Sequence, residues 1–510
     1  MRRIKELRPT EVMKRVLCIV GVAGAIVYGG AVAQAQQAPT VEGPIPVNSK
    51  LGYPFDAASH QQTPIDLAAY GYVEEEYFLH GAANVYQYAN LSDSSDASVK
   101  VIGRGPYTNR ILVHRPADPR RFSGNVIIEI MNATPHYDIP IMWSYDQDYF
   151  ISRGDIWIGV TSKPVDVVAL KKFNPVRYAS LSWANPNPNE NAQNCPLLPS
   201  DSSYSTENGL LWDIFTQVAV LLRSPSTPLR GFDVRAIYGV GYSQSAFNLM
   251  AYINAIAPLS VRPVFDGYMV SSAFGAQSAL NQCVGAPPSG DPRNILHSPT
   301  AAIVQTQTLS DYIPGRADLR PDGNARMDRY RLYEIAGSAH LVVDQLRSLP
   351  DAADTAAAGG QTMEQVFATC SPGGPLSDYP EHDALDDAWA KLEGWVRFGA
   401  QPAPSVLIST TGTYPNLTTV VDSLGNSVGG VRTPAIDVAT AKYTGSTPGP
   451  GLCFIFGYMV PFSQQQLQQL YRTPSLYDRA VEADVSRLER EQWLTPLDGR
   501  QALAQLRQGW

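Results

Sequence analysis

From about residue 75 the chain alternates short apolar runs with amphipathic stretches. Residues 125–132 (NVIIEIMN) and 155–161 (DIWIGVT) are β-branched and apolar on both faces, the pattern of parallel strands covered on each side. Residues 111–114, 234–242 (VRAIYGVGY), 264–270, 301–306 and 330–335 read as further strands. Between them lie helical patterns. Residues 208–223 place Leu211, Ile214, Phe215, Val218 and Leu222 on one face; residues 383–398 do the same with Leu385, Ala388, Trp389, Leu392, Trp395 and Val396, and Gly399 can cap that helix. Strands alternating with helices predict an α/β fold, a mainly parallel sheet with helices on both faces.

Two stretches break the alternation. Residues 164–206 are rich in Pro, Asn and Ser and hold Cys195, which predicts an ordered, lid-like insertion rather than a linker. Residues 405–460 read as short strands and turns, followed by an amphipathic, charged helical tail to Trp510. The expected organisation is an extended segment at 36–74, a core at 75–404 and a C-terminal extension at 405–510.

The first 35 residues follow another logic. Arg2, Arg3, Lys5, Arg8, Lys14 and Arg15 precede an apolar run at 16–32, and Ala33-Gln34-Ala35 supplies a small-x-small cleavage pattern. This is the layout of an export signal, with cleavage favoured over a retained anchor. The 510-residue chain carries a formal charge of −8. Removing the signal takes six of 39 positive and two of 47 negative charges, leaving about −12. Such a chain lacks the basic surface of a general nucleic-acid binder, and no later stretch is apolar enough to span a membrane. The expected localisation is periplasmic or secreted. Cys195, Cys283, Cys370 and Cys453 remain, an even number that predicts disulfides in an oxidising compartment. The expected pairing is Cys283 with Cys370 and Cys195 with Cys453. Their wide spacing does not suggest zinc, and no metal or organic cofactor is implied.

The chemistry centres on Gly241-Tyr242-Ser243-Gln244-Ser245. A nucleophile elbow needs a strand, a sharp turn bearing the serine and then a helix, with small residues two before and two after it. Residues 234–242 supply the strand and 245–256 a plausible helix. Gly425-Asn426-Ser427-Val428-Gly429 matches G-x-S-x-G more literally, yet Gly430-Val431-Arg432-Thr433-Pro434 follows and cannot begin a regular helix, so Ser427 reads as a turn residue. A serine nucleophile needs a histidine base and an orienting acid, in the chain order Ser, acid, His. His340 follows a strand on a Gly/Ser loop and is the expected base. His297 lies at the wrong end of its strand, and His382 opens a helix, where capping or a surface role is expected. Asp311, after the strand at 301–306, is the expected acid, with Glu334 as its rival. The oxyanion donors expected are the N–H groups of Gln244 and of Ala133 or Thr134. His136 and Tyr242 are candidates for substrate contact.

The segments NVIIEIMNATPHYD, GLLWDIFTQVA, VGYSQSA, YEIAGSAH and LGNSVGGVRTPAIDVATA together resemble the exported bacterial α/β-hydrolase domain-containing proteins. The resemblance spans nearly the whole chain after the signal and implies an α/β-hydrolase fold with a triad at Ser243, Asp311 and His340. Relatives often carry Glu where this chain has Leu309. The combined expectation is an exported serine hydrolase of small carboxylic esters. An acyltransferase, an amidase and a non-catalytic binding protein are the alternatives.

Overall fold

A computed structural model describes residues 37–506 apart from 196, 197, 200 and 261; the expected export signal lies outside the described residues. The apolar runs become the centre of an eleven-stranded sheet. Its strands are β1 (Thr40–Glu42), β2 (Tyr72–Tyr88), β3 (Val99–Pro116), β4 (Asn125–Ile130), β5 (Ile156–Val160), β6 (Ser182–Trp183), β7 (Ala236–Tyr242), β8 (Gly267–Ser271), β9 (Ala302–Gln307), β10 (Gly323–Ala325) and β11 (Asp328–Glu334). The order across the sheet is β1-β2-β3-β5-β4-β7-β8-β9-β11-β10, with β6 added to β3. From β5 to β11 neighbouring strands are parallel; β1, β2, β3, β6 and β10 pair antiparallel.

The principal helices are α1 (Ile141–Arg153), α2 (Pro164–Phe173), α3 (Leu211–Leu222), α4 (Gln244–Ala251), α5 (His382–Phe398), α6 (Pro474–Glu491) and α7 (Pro496–Leu506). They cover both faces of the sheet, as adjacent residues of β7 show. Tyr238 packs edge-on against Trp389 of α5. A Cβ on Gly239 would point the other way and meet Phe215 of α3 at 3.1 Å, so glycine lets the α3 ring pack close against the strand. Gly399 ends α5 in a left-handed conformation, as its position after the last apolar residue predicts.

The long β2–β3 hairpin exceeds its sequence signal, which marked only residues 111–114. Its charged residues look solvent-facing but several are buried. Fully buried Arg110 on β3 bonds Glu76 of β2 at 2.6 Å, Asp138 at 3.2 Å and the Phe55 carbonyl at 2.5 Å. Arg177 and Tyr178 of the insertion converge on the same Glu76, and Thr161 bonds Asp138 at 2.5 Å. One ion cluster thereby joins the N-terminal segment, the hairpin, the insertion and the loop after β4.

The disulfide pairing differs from expectation: Cys195 bonds Cys283 and Cys370 bonds Cys453. The insertion folds back beside the segment after β8, which brings Cys195 to Cys283 with 4.9 Å between their Cα atoms. Residues 405–460 run beside the segment leading into α5, which brings Cys453 to Cys370 with 5.6 Å between Cα atoms. Two disulfides fit an oxidising compartment. Among the described residues no helix is long and apolar enough to cross a membrane.

A non-reducing peptide map should recover peptides linking Cys195 to Cys283 and Cys370 to Cys453; links in any other pairing would contradict this arrangement. Arg110→Ala leaves buried Asp138 without its cation and Glu76 with Arg177 as its remaining one, and should cost about 3–5 kcal/mol of stability, read from urea denaturation. A loss below about 1 kcal/mol would show that the cluster is not what joins these segments.

Candidate active site

The site grows from the turn between β7 and α4. Ser243 sits there at φ 60°, ψ −125°, a conformation that L-residues adopt only under tight surroundings. The turn brings the start of α4 against β7: a Cβ on Gly241 would lie 2.4 Å from the Ser245 carbonyl oxygen. Ser245, where G-x-S-x-G has its second glycine, clamps the turn instead. Its hydroxyl accepts from the Tyr242 N–H at 3.0 Å and donates to the Tyr242 carbonyl at 2.9 Å. The Ser243 N–H bonds the Ser271 carbonyl of β8 at 3.0 Å.

The sheet's carboxyl edge brings the three expected residues together. His340 Nε2 lies 2.7 Å from Ser243 Oγ, and His340 Nδ1 lies 2.7 Å from Asp311 Oδ1. Asp311 Oδ2 accepts from the Thr308 hydroxyl at 2.6 Å and N–H at 3.2 Å, which fixes the carboxylate's rotation. Asp311 is wholly buried and His340 nearly so, while Ser243 is partly accessible. Glu334 is elsewhere engaged: its Oε2 accepts from Arg316 at 2.8 Å and from the Ile408 N–H at 2.6 Å. His297 is exposed beside Asp328. His382 is not a surface residue but bonds Asp344 at 2.6 Å within an acidic cluster.

The C-terminal extension braces the histidine loop. Leu341 N–H bonds the Ile455 carbonyl, Ala336 N–H bonds that of Val431, and Ser310 donates to the Gly445 carbonyl at 2.5 Å while accepting from the His340 N–H at 2.8 Å. Ser427 lies in a bridged turn opposite Val421, with no hydrogen-bond partner for its hydroxyl among the described residues.

Three expected residues differ in detail. Tyr242 is not positioned for substrate contact: it is fully buried beneath the site and bonds the His340 carbonyl at 2.9 Å and Glu381 at 3.1 Å. Glu381 also accepts from Ser338 at 2.7 Å, and burial pushes its carboxyl well above the usual range. Sequence reasoning missed this residue, because nothing local marks a glutamate before a helix as buried. The Thr134 N–H is taken by the Asn132 side chain at 2.8 Å, so it cannot serve an oxyanion. The Ala133 N–H instead points at the Gln244 side-chain oxygen, 3.1 Å away. The Gln244 N–H opens α4 and has no partner within that helix. His136 is exposed on the same loop at φ 65°. Phe274 stands edge-on to His340 and to Phe247. A cavity of about 160 Å³ is lined by Asn248, one turn along α4 from Gln244, with Ser162, Lys163, Asp201, Asn208 and Trp212.

A family model described as alpha/beta hydrolase domain matches residues 41–504. The chain belongs to this alpha/beta hydrolase family. No curated protein matches it. Among solved structures, the esterase Est22 aligns at 12% identity and TM-score 0.31, over 57% of this chain and 81% of that one. A glucuronoyl esterase from Solibacter usitatus aligns at 8% identity and TM-score 0.26, over 60% and 87%. A cold-adapted esterase from an Arctic intertidal metagenomic library aligns at 9% identity and TM-score 0.26, over 51% and 84%.

In this hydrolase, Gly241→Ala forces the start of α4 away from β7. It should lower stability by about 2–4 kcal/mol in chemical denaturation; a neutral substitution would mean that the turn is not under the constraint described.

Proposed function

We propose that the protein is an exported serine esterase in which Ser243 is the nucleophile, His340 the base and Asp311 its orienting acid. The observation that carries this reading is the imidazole of His340, within 2.7 Å of Ser243 Oγ on one side and of Asp311 on the other. Ser243 Oγ attacks the ester carbonyl as His340 Nε2 takes its proton. Asp311 holds the tautomer with Nδ1–H and stabilises the imidazolium. The tetrahedral oxyanion lies between the N–H groups of Gln244 and Ala133, and the Gln244 side-chain oxygen yields the Ala133 donor to it. Collapse returns the proton from His340 to the departing alcohol and leaves Ser243 acylated. Water, deprotonated by His340, then releases the acid and restores the serine.

Phe274, packed between His340 and Phe247, sets apolar surface beside the imidazole. The cavity at Asn248 is of mixed character, with the Lys163–Asp201 ion pair at 2.7 Å beside Leu211, Trp212 and Ala279 in its lining.

Assays with p-nitrophenyl and aryl esters should show turnover that Ser243→Ala and His340→Ala each reduce by roughly 10³-fold or more, with melting temperatures kept. Ser427→Ala should remain as active as the wild type, and a fluorophosphonate probe should label Ser243 alone. Retained turnover in Ser243→Ala would overturn the assignment.

A further inference from the structure

Outside the candidate active site, an unusual concentration of buried carboxylates lies where the N-terminus of α5 meets α7. His382, Asp383 and Asp498 place one potential ligand atom each within 4.8 Å of the others. Asp386, one turn further along α5, stands between Asp498 and Asp146 of α1. Asp146, Asp383, Asp386 and Asp498 are each at least 97% buried. Carboxylates that gather out of water must either take up protons or meet a counter-charge, and the cations at hand are few: His382 itself, and Arg347, which reaches only Asp344 at 3.6 Å and Asp148 at 3.7 Å.

The hydrogen bonding leaves oxygens over. Asp498 Oδ2 is held by the Thr495 hydroxyl at 2.5 Å, which fixes the side chain, but Asp498 Oδ1 has no partner among the described residues. Asp386 Oδ1 and Asp146 Oδ1 are likewise unpartnered, although Asp146 Oδ2 accepts from Trp389 at 2.7 Å. Donors therefore position Asp498 and Asp146 each through one oxygen, with Asp386 standing between the two.

His382 has the orientation of a ligand. Its Nδ1 bonds Asp344 at 2.6 Å, which directs Nε2 toward Asp383, 3.4 Å from Oδ1. A carboxylate behind an imidazole is the arrangement that fixes the tautomer and raises the basicity of a metal-binding histidine. A separation of 3.4 Å is also that of two ligands about 2.1 Å from one tetrahedral cation. Adjacent cavities of about 330 and 480 Å³, both lined by His382 and Gln501, give a path from solvent.

We propose that His382 Nε2 and the carboxylates of Asp383 and Asp498 form a binding site for a structural divalent cation of the zinc type. A mixed nitrogen and oxygen set favours such a borderline cation over Ca²⁺ or Mg²⁺, which take oxygen shells. The cation would pin α7 to α5 next to Glu381, and so tie the C-terminal helices to the floor of the serine site. Zinc spacing rules miss it because Asp498 lies 116 positions after His382.

Chelator-treated full-length protein is titrated with ZnCl₂ by calorimetry and melted with and without zinc. The wild type should take up one equivalent and melt about 3 °C higher at roughly a hundred-fold excess over Kd. Asp498→Asn and Asp383→Asn should each weaken binding at least about tenfold. His60→Ala, which removes the half-exposed cluster of His60, Asp351 and Asp354, should bind as the wild type does. Absence of saturable uptake by the wild type would overturn the proposal whatever the variants do. So would wild-type affinity in both aspartate variants.

Discussion

The steric closeness of β7 and α4 is the constraint on which the candidate site depends. A strand must turn into a helix around one residue, and the Ser245 carbonyl then lies where a side chain at 241 would begin. With glycine there, the turn can close and Ser243 is left on its apex at positive φ. From that apex the hydroxyl meets His340, and the side chain of the next residue, Gln244, accepts from the Ala133 N–H. The geometry is therefore set by the backbone before any side-chain contact is counted, and the hydrogen bonds of Ser245 hold a conformation that packing has already selected.

The second half of the site is held from outside the parallel sheet. His340 and Asp311 sit on loops after β11 and β9, and free loops would let their mutual distance drift. Residues 405–460 prevent this by bonding both loops, through Val431, Gly445 and Ile455. The Gly429-Gly430 pair has a definite part. Both residues have positive φ, and a Cβ on Gly430 would meet the Glu334 carbonyl at 2.6 Å, so the chain can pass close to the end of β11 only with glycine there. The C-terminal extension is thus part of the support for the serine site. The other side of the site is secured by the Arg110 ion cluster, since Asp138 closes the loop that starts at Ala133.

What the sequence made legible follows from range. The parallel strands and α3, α4 and α5 were readable because each carries its own apolar pattern, and the elbow because its parts are adjacent. Placing Asp311 and His340 needed only strand order, which the fold class dictates. Tyr242 and Thr134 went astray for another reason: the motif fixes their backbone position but not what their polar groups bond. The long hairpin was underestimated because Glu76 and Arg110 are buried only through each other. Disulfide partners were beyond reach, since Cys195 and Cys370 lie in segments whose course is set by packing rather than by periodicity.

Glu381 shows how such distant contacts can bear on the base. The Tyr242 hydroxyl has a single proton, yet it lies within bonding distance of two oxygens, the His340 carbonyl at 2.9 Å and Glu381 Oε1 at 3.1 Å. Both oxygens lie on the acceptor side of that hydroxyl, so its one proton serves the histidine's carbonyl and the Glu381 carboxyl together. Burial pushes the Glu381 carboxyl well above the usual range. Ser338 donates to the other carboxyl oxygen. The phenol thereby holds the histidine's backbone in place and ties the loop of His340 to the start of α5, where Ser338 fixes Glu381.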